Sequence, residues 1–289
     1  IESLTDNEIG VLESEDGSRS EFLLEPRTNY FIGRIEAPFI NNASILGATF
    51  TDVRRAKGDN ASVGVFDWRL RFLENRFSFS GQAAFSDIAG SQGEASRFHL
   101  KYDNFKWWNM DLLSTYYDEG FSSNDLGFLR RSGVWSVRAG GSIRKQDPWG
   151  PFRKNILMTR YFHYSRLDKI TLARTLMLDS RNTLKSFWMV GFGGRIDFKA
   201  TDDDDLFKNT NAWMVGRPPS WGMWFYFSSD PRKPVVVNPA FAVGRTETGG
   251  LSLWSNIRMT LNPRDNISIS LQNGIQRETG ALECVLGAR

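Results

Sequence analysis

The side chains able to do chemistry are few, and their spacing limits what they can do. His99 and His163 are the two histidines. A Ser–His hydrolase built on either needs a nucleophile, a base and an orienting group within hydrogen-bond reach. The chain has no Gly-x-Ser-x-Gly elbow, and neither histidine adjoins a distinctive serine motif. No catalytic residue is assigned, and the expectation is that the protein is not an enzyme. Asp202-Asp203-Asp204-Asp205 offers carboxylate oxygens of the kind Ca²⁺ takes. It lacks the spaced ligands and glycine of an EF-hand loop and reads as a solvated loop tip. Cys284 is the one cysteine, so no internal disulfide forms, and with two histidines no transition-metal set is present. No metal and no cofactor is expected.

One further run is chemically pointed. Asn124-Asp125-Leu126-Gly127-Phe128-Leu129-Arg130-Arg131 sets two adjacent arginines after a glycine. If this stretch folds into a lumen, Asp125, Arg130 and Arg131 line a constriction. The plainer reading is that Gly127 and the arginines fix loop-to-strand geometry and pair with carboxylates. Three Asn-x-Ser triplets, at Asn42, Asn60 and Asn266, match a glycosylation pattern but read as ordinary turn polarity.

Composition narrows the class. Lys and Arg number 36 against 33 Asp and Glu, a net charge of +3 spread along 289 residues. That is no nucleic-acid footprint. No run of about 18 apolar residues exists, so no transmembrane helix is expected. Mean hydropathy is −0.38, which a membrane barrel tolerates because only alternate residues of its strands face lipid. The 22 Phe, 10 Trp, 7 Tyr and 26 Gly suit aromatic girdles and bending strands. The opening Ile1-Glu2-Ser3-Leu4 carries neither Met nor a signal peptide and reads as a processed or partial segment.

The elements that must position these side chains are strands. Phe66, Trp68, Leu70 and Phe72 alternate with Asp67, Arg69 and Arg71, giving one apolar and one charged wall. Phe77, Phe79, Gly81, Ala83 and Phe85 oppose Ser78, Ser80, Gln82 and Ser86, with only residues 73–76 between the two segments. Phe98, Leu100 and Tyr102 oppose Arg97, His99 and Lys101, while Trp135, Val137, Ala139 and Ile143 oppose Arg138 and Arg144. Leu251, Leu253, Ile257, Met259 and Leu261 share a face before the turn at 262–265. Residues 169–179 are ambiguous, because Arg174 interrupts Leu172, Leu176 and Leu178.

Many segments run about 9–12 residues, the length a tilted strand needs to cross a bilayer, where soluble strands run about 5–6. Short links at 73–76, 104–108 and 262–265 alternate with longer polar ones at 53–61, 86–95, 118–132 and 199–212. The expected fold is therefore all-β, a transmembrane antiparallel meander β-barrel of about 14–16 strands, open to being incomplete at the ends. Residues 1–26 read as a polar lead-in, 27–278 as the barrel and 279–289 as an unassigned tail. Candidate lumen-lining charges are Arg34, Glu36, Asp67, Arg69, Arg71, Arg97, Lys101, Arg138 and Arg258. Trp107, Trp108, Trp149, Trp213, Trp221 and Trp224 read as interface anchors, with a sugar-stacking platform as the sharper alternative.

Several blocks resemble a known family. They are Gly17-Ser18-Arg19, Arg34-Ile35, Asn42-Ala43-Ser44-Ile45-Leu46-Gly47 and Gly64-Val65-Phe66-Asp67. Tyr117-Asp118-Glu119-Gly120-Phe121, Leu126-Gly127-Phe128-Leu129-Arg130-Arg131 and Ser229-Asp230-Pro231-Arg232-Lys233 complete the set. Together they resemble the C-terminal membrane-barrel region known as DUF5916, over most of residues 17–275. The resemblance implies an outer-membrane location in Gram-negative, often Bacteroidetes-like, bacteria, and no known activity. In that family the barrel usually follows a β-sandwich resembling a family 9 carbohydrate-binding module. No such sandwich is visible here, so sugar binding is carried onto no residue.

The expected function is an outer-membrane barrel, porin-like, forming a pore or a plugged channel of unknown substrate. One alternative is a structural barrel anchoring a carbohydrate-binding partner domain. Another is a soluble carbohydrate-binding β-sandwich. Expected partners are outer-membrane lipid and, beside it, a carbohydrate-binding domain or other envelope proteins; nucleic acid is not among them.

Overall fold

Residues whose side chains alternate in polarity cannot bury one face as a helix, and the chain resolves this by forming strands throughout. The computed structural model describes residues 1–13, 18–123, 127, 129–203, 215–246, 249–264 and 266–280, and among them there is no helix. The strands begin with β1 (Glu2–Thr5), β2 (Glu8–Glu13), β3 (Arg19–Glu25), β4 (Thr28–Phe39), β5 (Asn41–Arg55), β6 (Ala61–Phe72) and β7 (Phe77–Ile88). β8 (Ser91–Asp103), β9 (Trp108–Tyr117), β10 (Val134–Lys145), β11 (Phe152–Arg166), β12 (Thr171–Leu184) and β13 (Met189–Asp197) follow. The last are β14 (Ala200–Asp202), β15 (Val215–Arg217), β16 (Ser220–Ser228), β17 (Val235–Arg245), β18 (Leu251–Arg264) and β19 (Ile267–Thr279). Fifteen belong to one sheet in the order β1-β4-β5-β6-β7-β8-β9-β10-β11-β12-β13-β16-β17-β18-β19, a meander of sequence neighbours except at β1–β4 and β13–β16. β2–β3 and β14–β15 are separate two-stranded sheets. From β4 onward the strands of the large sheet are 9–15 residues long.

The chain divides into two compact units, Ile1–Leu100 with Leu113–Trp135, and Lys101–Leu112 with Ser136–Arg289. In the first, register keeps like with like. Ile35 pairs with Ala48, Ala48 with Phe66 and Phe66 with Ala83, so these fall on one face. Glu36 pairs with Gly47, Gly47 with Asp67 and Asp67 with Gln82, forming a row on the other. The apolar face is open: Ile35 is 75% exposed and Phe66 49%. Its rings touch one another, Trp68 standing 5.5 Å from Phe79 and 5.7 Å from Phe98 between centroids.

The second unit repeats this division. Leu176 pairs with Ile196 and Leu178 with Gly194, which assigns residues 171–179 of the ambiguous segment to a strand with Leu176 and Leu178 on the apolar face, while Lys169 belongs to the preceding turn. Trp221 then pairs with Arg245, Met223 with Val243 and Phe225 with Phe241 on that same face.

Three local details differ from the sequence reading. Residues 1–26, expected as a polar lead-in, carry three strands: β1 pairs with the start of β4, and β2 with β3. Ile9 and Val11 alternate with Glu8 and Gly10, so the β pattern was present beneath the charge. The long link expected at 86–95 is a two-residue turn, Ala89-Gly90, with φ of 52° and 85°. Paired left-handed residues match the twist of the flanking strands. The polar residues there are strand ends, Asp87 accepting from Gly90 N (3.1 Å) and Gln92 Nε2 (3.2 Å). At the other end of the chain, β19 continues to Thr279, and most of the expected tail lies outside the described residues.

Candidate functional site

On the charged face of the first unit, strands β4 to β8 surround a polar cleft of about 500 Å³. Arg34, Glu36, Asp67, Arg69 and Arg97 line it, joined by Ser80, Gln82 and His99. Five of the nine charges expected to line a lumen are thus brought together. Alternation places Arg34 and Glu36 on the same side of β4, and the ladder carries Asp67 across β5 to meet them. Arg34 Nη1 donates to Asp67 Oδ1 at 2.8 Å and Nη2 to Asp67 Oδ2 at 3.1 Å, a bidentate pair. The same guanidinium donates to Thr49 Oγ1 at 2.7 Å and to Glu36 Oε2 at 3.3 Å. Both its terminal nitrogens are committed, so Arg34 acts as a cross-strand tie.

Arg69 and Arg97 differ. Both are exposed, and among the described residues neither guanidinium makes a hydrogen bond or an ion pair. Arg69 faces Ser80 across the ladder, whose short side chain leaves room above β7. With two carboxylates already held by Arg34, the cleft presents an excess of positive charge to solvent.

A loop covers part of the same face. The link after β9 turns back at Asp118, whose carbonyl accepts from Phe121 N (3.3 Å) and Gly133 N (3.2 Å). Phe121, 6% exposed, packs on Ala84 and Ala95, with Val65, Tyr117 and Leu129 around it. Ser122 N donates to Ser86 Oγ at 3.2 Å. The close approach depends on Gly93: a Cβ there would lie 2.1 Å from Phe121 N, inside any tolerable contact. The sequence points to residues 124–131 as the stretch that could fold inward, and of these 124–126 and 128 lie outside the described residues. Phe121 is the anchor that this reading missed, visible only as an aromatic among polar neighbours. Asp125 lies outside the described residues; Arg130 is exposed, Arg131 half-buried, and both are engaged with other groups.

The remaining expected charges are placed separately. Arg71 pairs in register with Ser78 and is engaged. In the second unit Lys101 is exposed, Arg138 stands 3.8 Å from Asp111, and Arg258 Nε donates to Gln272 Oε1 at 3.0 Å. Asp202 accepts from Arg217 Nε at 3.0 Å and Asp203 from Arg166 Nη1 at 3.4 Å. Half of the acidic run is therefore arginine-paired and part-buried, unlike the solvated tip expected; Asp204 and Asp205 are outside the described residues. Among the described residues no three His, Cys, Asp or Glu side chains gather as a metal site. His99 lines the polar cleft, whereas His163 belongs to the second unit, opposite Arg174.

Sequence reading also missed a polar cluster in the second unit. Asp179 accepts from Trp224 Nε1 at 2.8 Å and from Tyr226 OH at 3.1 Å, and Arg181 Nε donates to Tyr226 OH at 3.4 Å. Trp224, expected as an interface anchor, instead turns to the charged face. Its ring and that of Tyr226 lie over Gly193 and Gly191, where a Cβ would come within 2.5 Å and 2.0 Å of them. Trp213 lies outside the described residues, while Trp107, Trp108, Trp149 and Trp221 are exposed.

An antiparallel meander with one apolar and one charged wall defines the class of protein. The chain belongs to the family described as a domain of unknown function (DUF5916), whose model matches residues 2–285. The fold is similar to the crystal structure of OccK10 (OpdN) from Pseudomonas aeruginosa, at 14% identity and a TM-score of 0.47, over 96% of this chain and 93% of that one. No curated protein matches the sequence.

Proposed function

We propose that the protein is an outer-membrane β-barrel with a constricted channel for small polar solutes. The observation that carries this is the division of long strands into an exposed apolar wall and a charged wall that holds a folded-in loop. Strands of 9–15 residues are long enough to cross a bilayer with tilt. A soluble protein rarely leaves so continuous an apolar belt in water, whereas lipid accepts it. Exposed Trp107, Trp108, Trp149 and Trp188 near one set of strand ends fit an interface girdle. The charged wall then faces the lumen, where the Arg34–Asp67–Glu36 tie stiffens it and Arg69 and Arg97 bias it toward anions.

Membrane fractionation, followed by gels of heated and unheated samples, tests the barrel. Recovery with the outer membrane and a heat-shifted band are expected; a soluble protein with no shift sinks the reading and revives the β-sandwich. Planar-bilayer recording tests the channel. Small, anion-preferring conductance is expected. Silence in both the parent and a loop-released variant favours a barrel that anchors a carbohydrate-binding partner, a role suited to a lumen closed by its own loop.

A further inference from the structure

Charge on the apolar wall is scarce, so each exception needs a physical reason. Arg245 pairs with Trp221 on one side and Leu251 on the other, which puts it on the apolar face. Arg277 pairs with Leu253 and shares that face, one strand beyond Leu251 and two residues further from the 246–250 hairpin. Two strand spacings and one such step separate their Cα atoms by roughly 12 Å. Both side chains are exposed, and neither makes a hydrogen bond or ion pair among the described residues. A cation on a lipid-facing strand is unfavourable to a degree that falls toward the interface. An anionic headgroup at the interface removes that penalty through charge-assisted hydrogen bonds.

The surroundings supply the rest of a lipid site. Arg245 borders an apolar groove of about 980 Å³ whose walls include Leu178, Phe192, Ile196 and Met223. Gly194 forms part of its floor, leaving a dent between Leu178 and Met223. Arg277 borders a second apolar hollow of about 520 Å³, with Phe241, Leu253 and Ile275. The 246–250 hairpin lies at the same strand ends as the long link 198–219, and long links mark the external side of such barrels. Both arginines therefore fall toward the external leaflet.

Resting on the outer-membrane reading above, we propose that Arg245 and Arg277 bind a phosphorylated, multiply acylated lipid of the external leaflet, its acyl chains lying in the two flanking hollows. Two phosphoryl groups on one headgroup can meet both guanidiniums. Arg174, stacked over Phe198 at 4.8 Å on the far side of the groove, is already occupied and is not needed.

The test is native mass spectrometry of the detergent-extracted protein titrated with diphosphoryl lipid A, its dephosphorylated form, phosphatidylcholine or inorganic phosphate. One-to-one adducts with diphosphoryl lipid A are expected, at least tenfold weaker for the dephosphorylated lipid. R245Q/R277Q should lose at least tenfold, and R245K/R277K should recover part of it. Equal retention of phosphatidylcholine, or an unchanged double variant, overturns the site. Displacement of the lipid by equimolar inorganic phosphate overturns it too, by assigning the arginines to a free anion. A heat-shifted, membrane-derived protein that binds no lipid A loses this site alone. A soluble protein without a heat shift loses the barrel as well.

Discussion

At the scale of single residues, the clearest electrostatic feature outside the long strands is the turn between β16 and β17. Asp230 is buried and accepts from Arg232 N (3.0 Å), Nε (2.9 Å) and Nη2 (2.7 Å). These hydrogen bonds to Arg232 hold its carboxyl at about 2, below the ordinary 3.8. A depressed carboxylate contributes stability that is complete above its unfolded value and is lost as pH falls through the folded one. The turn should keep its full contribution above pH 3.8 and lose it toward pH 2. Carboxyl-carbon NMR of Asp230 in micelles checks this, and a midpoint near 4 would falsify the pairing. Arg232 also lies over the Phe187 ring, so Asp230→Asn should loosen both neighbouring links. A second residue-scale expectation concerns Gly191, whose Cβ position lies 2.0 Å from Tyr226 Cζ. Gly191→Val should displace the ring from Asp179 and cost about 1–3 kcal/mol, as overpacking does. Denaturant unfolding in detergent measures that; an unchanged midpoint would remove the cluster as a structural element.

At the scale of elements, the informative one is the loop after β9. Its hold on the charged face rests on Phe121, the hydrogen bond from Ser122 N to Ser86 Oγ and the bare backbone of Gly93. Phe121→Ala removes the anchor, a change that in a core costs about 3–5 kcal/mol. Here the loss is local and appears as loop opening. Channel conductance should rise several-fold in Phe121→Ala and in Gly93→Val, while the heat-shifted band persists. Identical conductance in parent and variants would show that this loop does not constrict the lumen. Much of this element was hidden in the sequence. The arginine pair at Arg130 and Arg131 drew the eye to the loop, but a lone Phe121 after Gly120 carries no period. What it packs against, Ala84 and Ala95, lies on two other strands.

For the whole molecule, the governing fact is the persistence of one alternation across strands from both units. It leaves residues such as Phe50, Phe85, Leu178 and Phe241 largely exposed, which water penalises and a bilayer rewards at about 25 cal/mol per Å² of apolar surface. The protein should therefore need detergent to stay monodisperse. Sedimentation in detergent against detergent-free buffer tests this, and a monomer stable in plain buffer contradicts it. The same alternation explains why the average hydropathy, at −0.38, does not reveal the apolar wall: the two walls cancel in the mean.

The amino-acid order alone determined the element type, most strand positions and which residues share a face, because side chains on a strand alternate and need no partner to do so. Phe66, Asp67, Trp68 and Arg69 were assigned to their walls without any contact being known. Register was not local information. That Arg34 ties to Asp67 rather than to another carboxylate depends on how β4, β5 and β6 slide against one another. That Trp224 turns to Asp179 depends on Gly193 lying beside it in the next strand. Turn geometry was lost for a similar reason, since polar residues such as Asp87 and Gln92 read as a loop until the ladder claims their backbone. Pairing between distant segments, not the pattern within any of them, decided which charges meet.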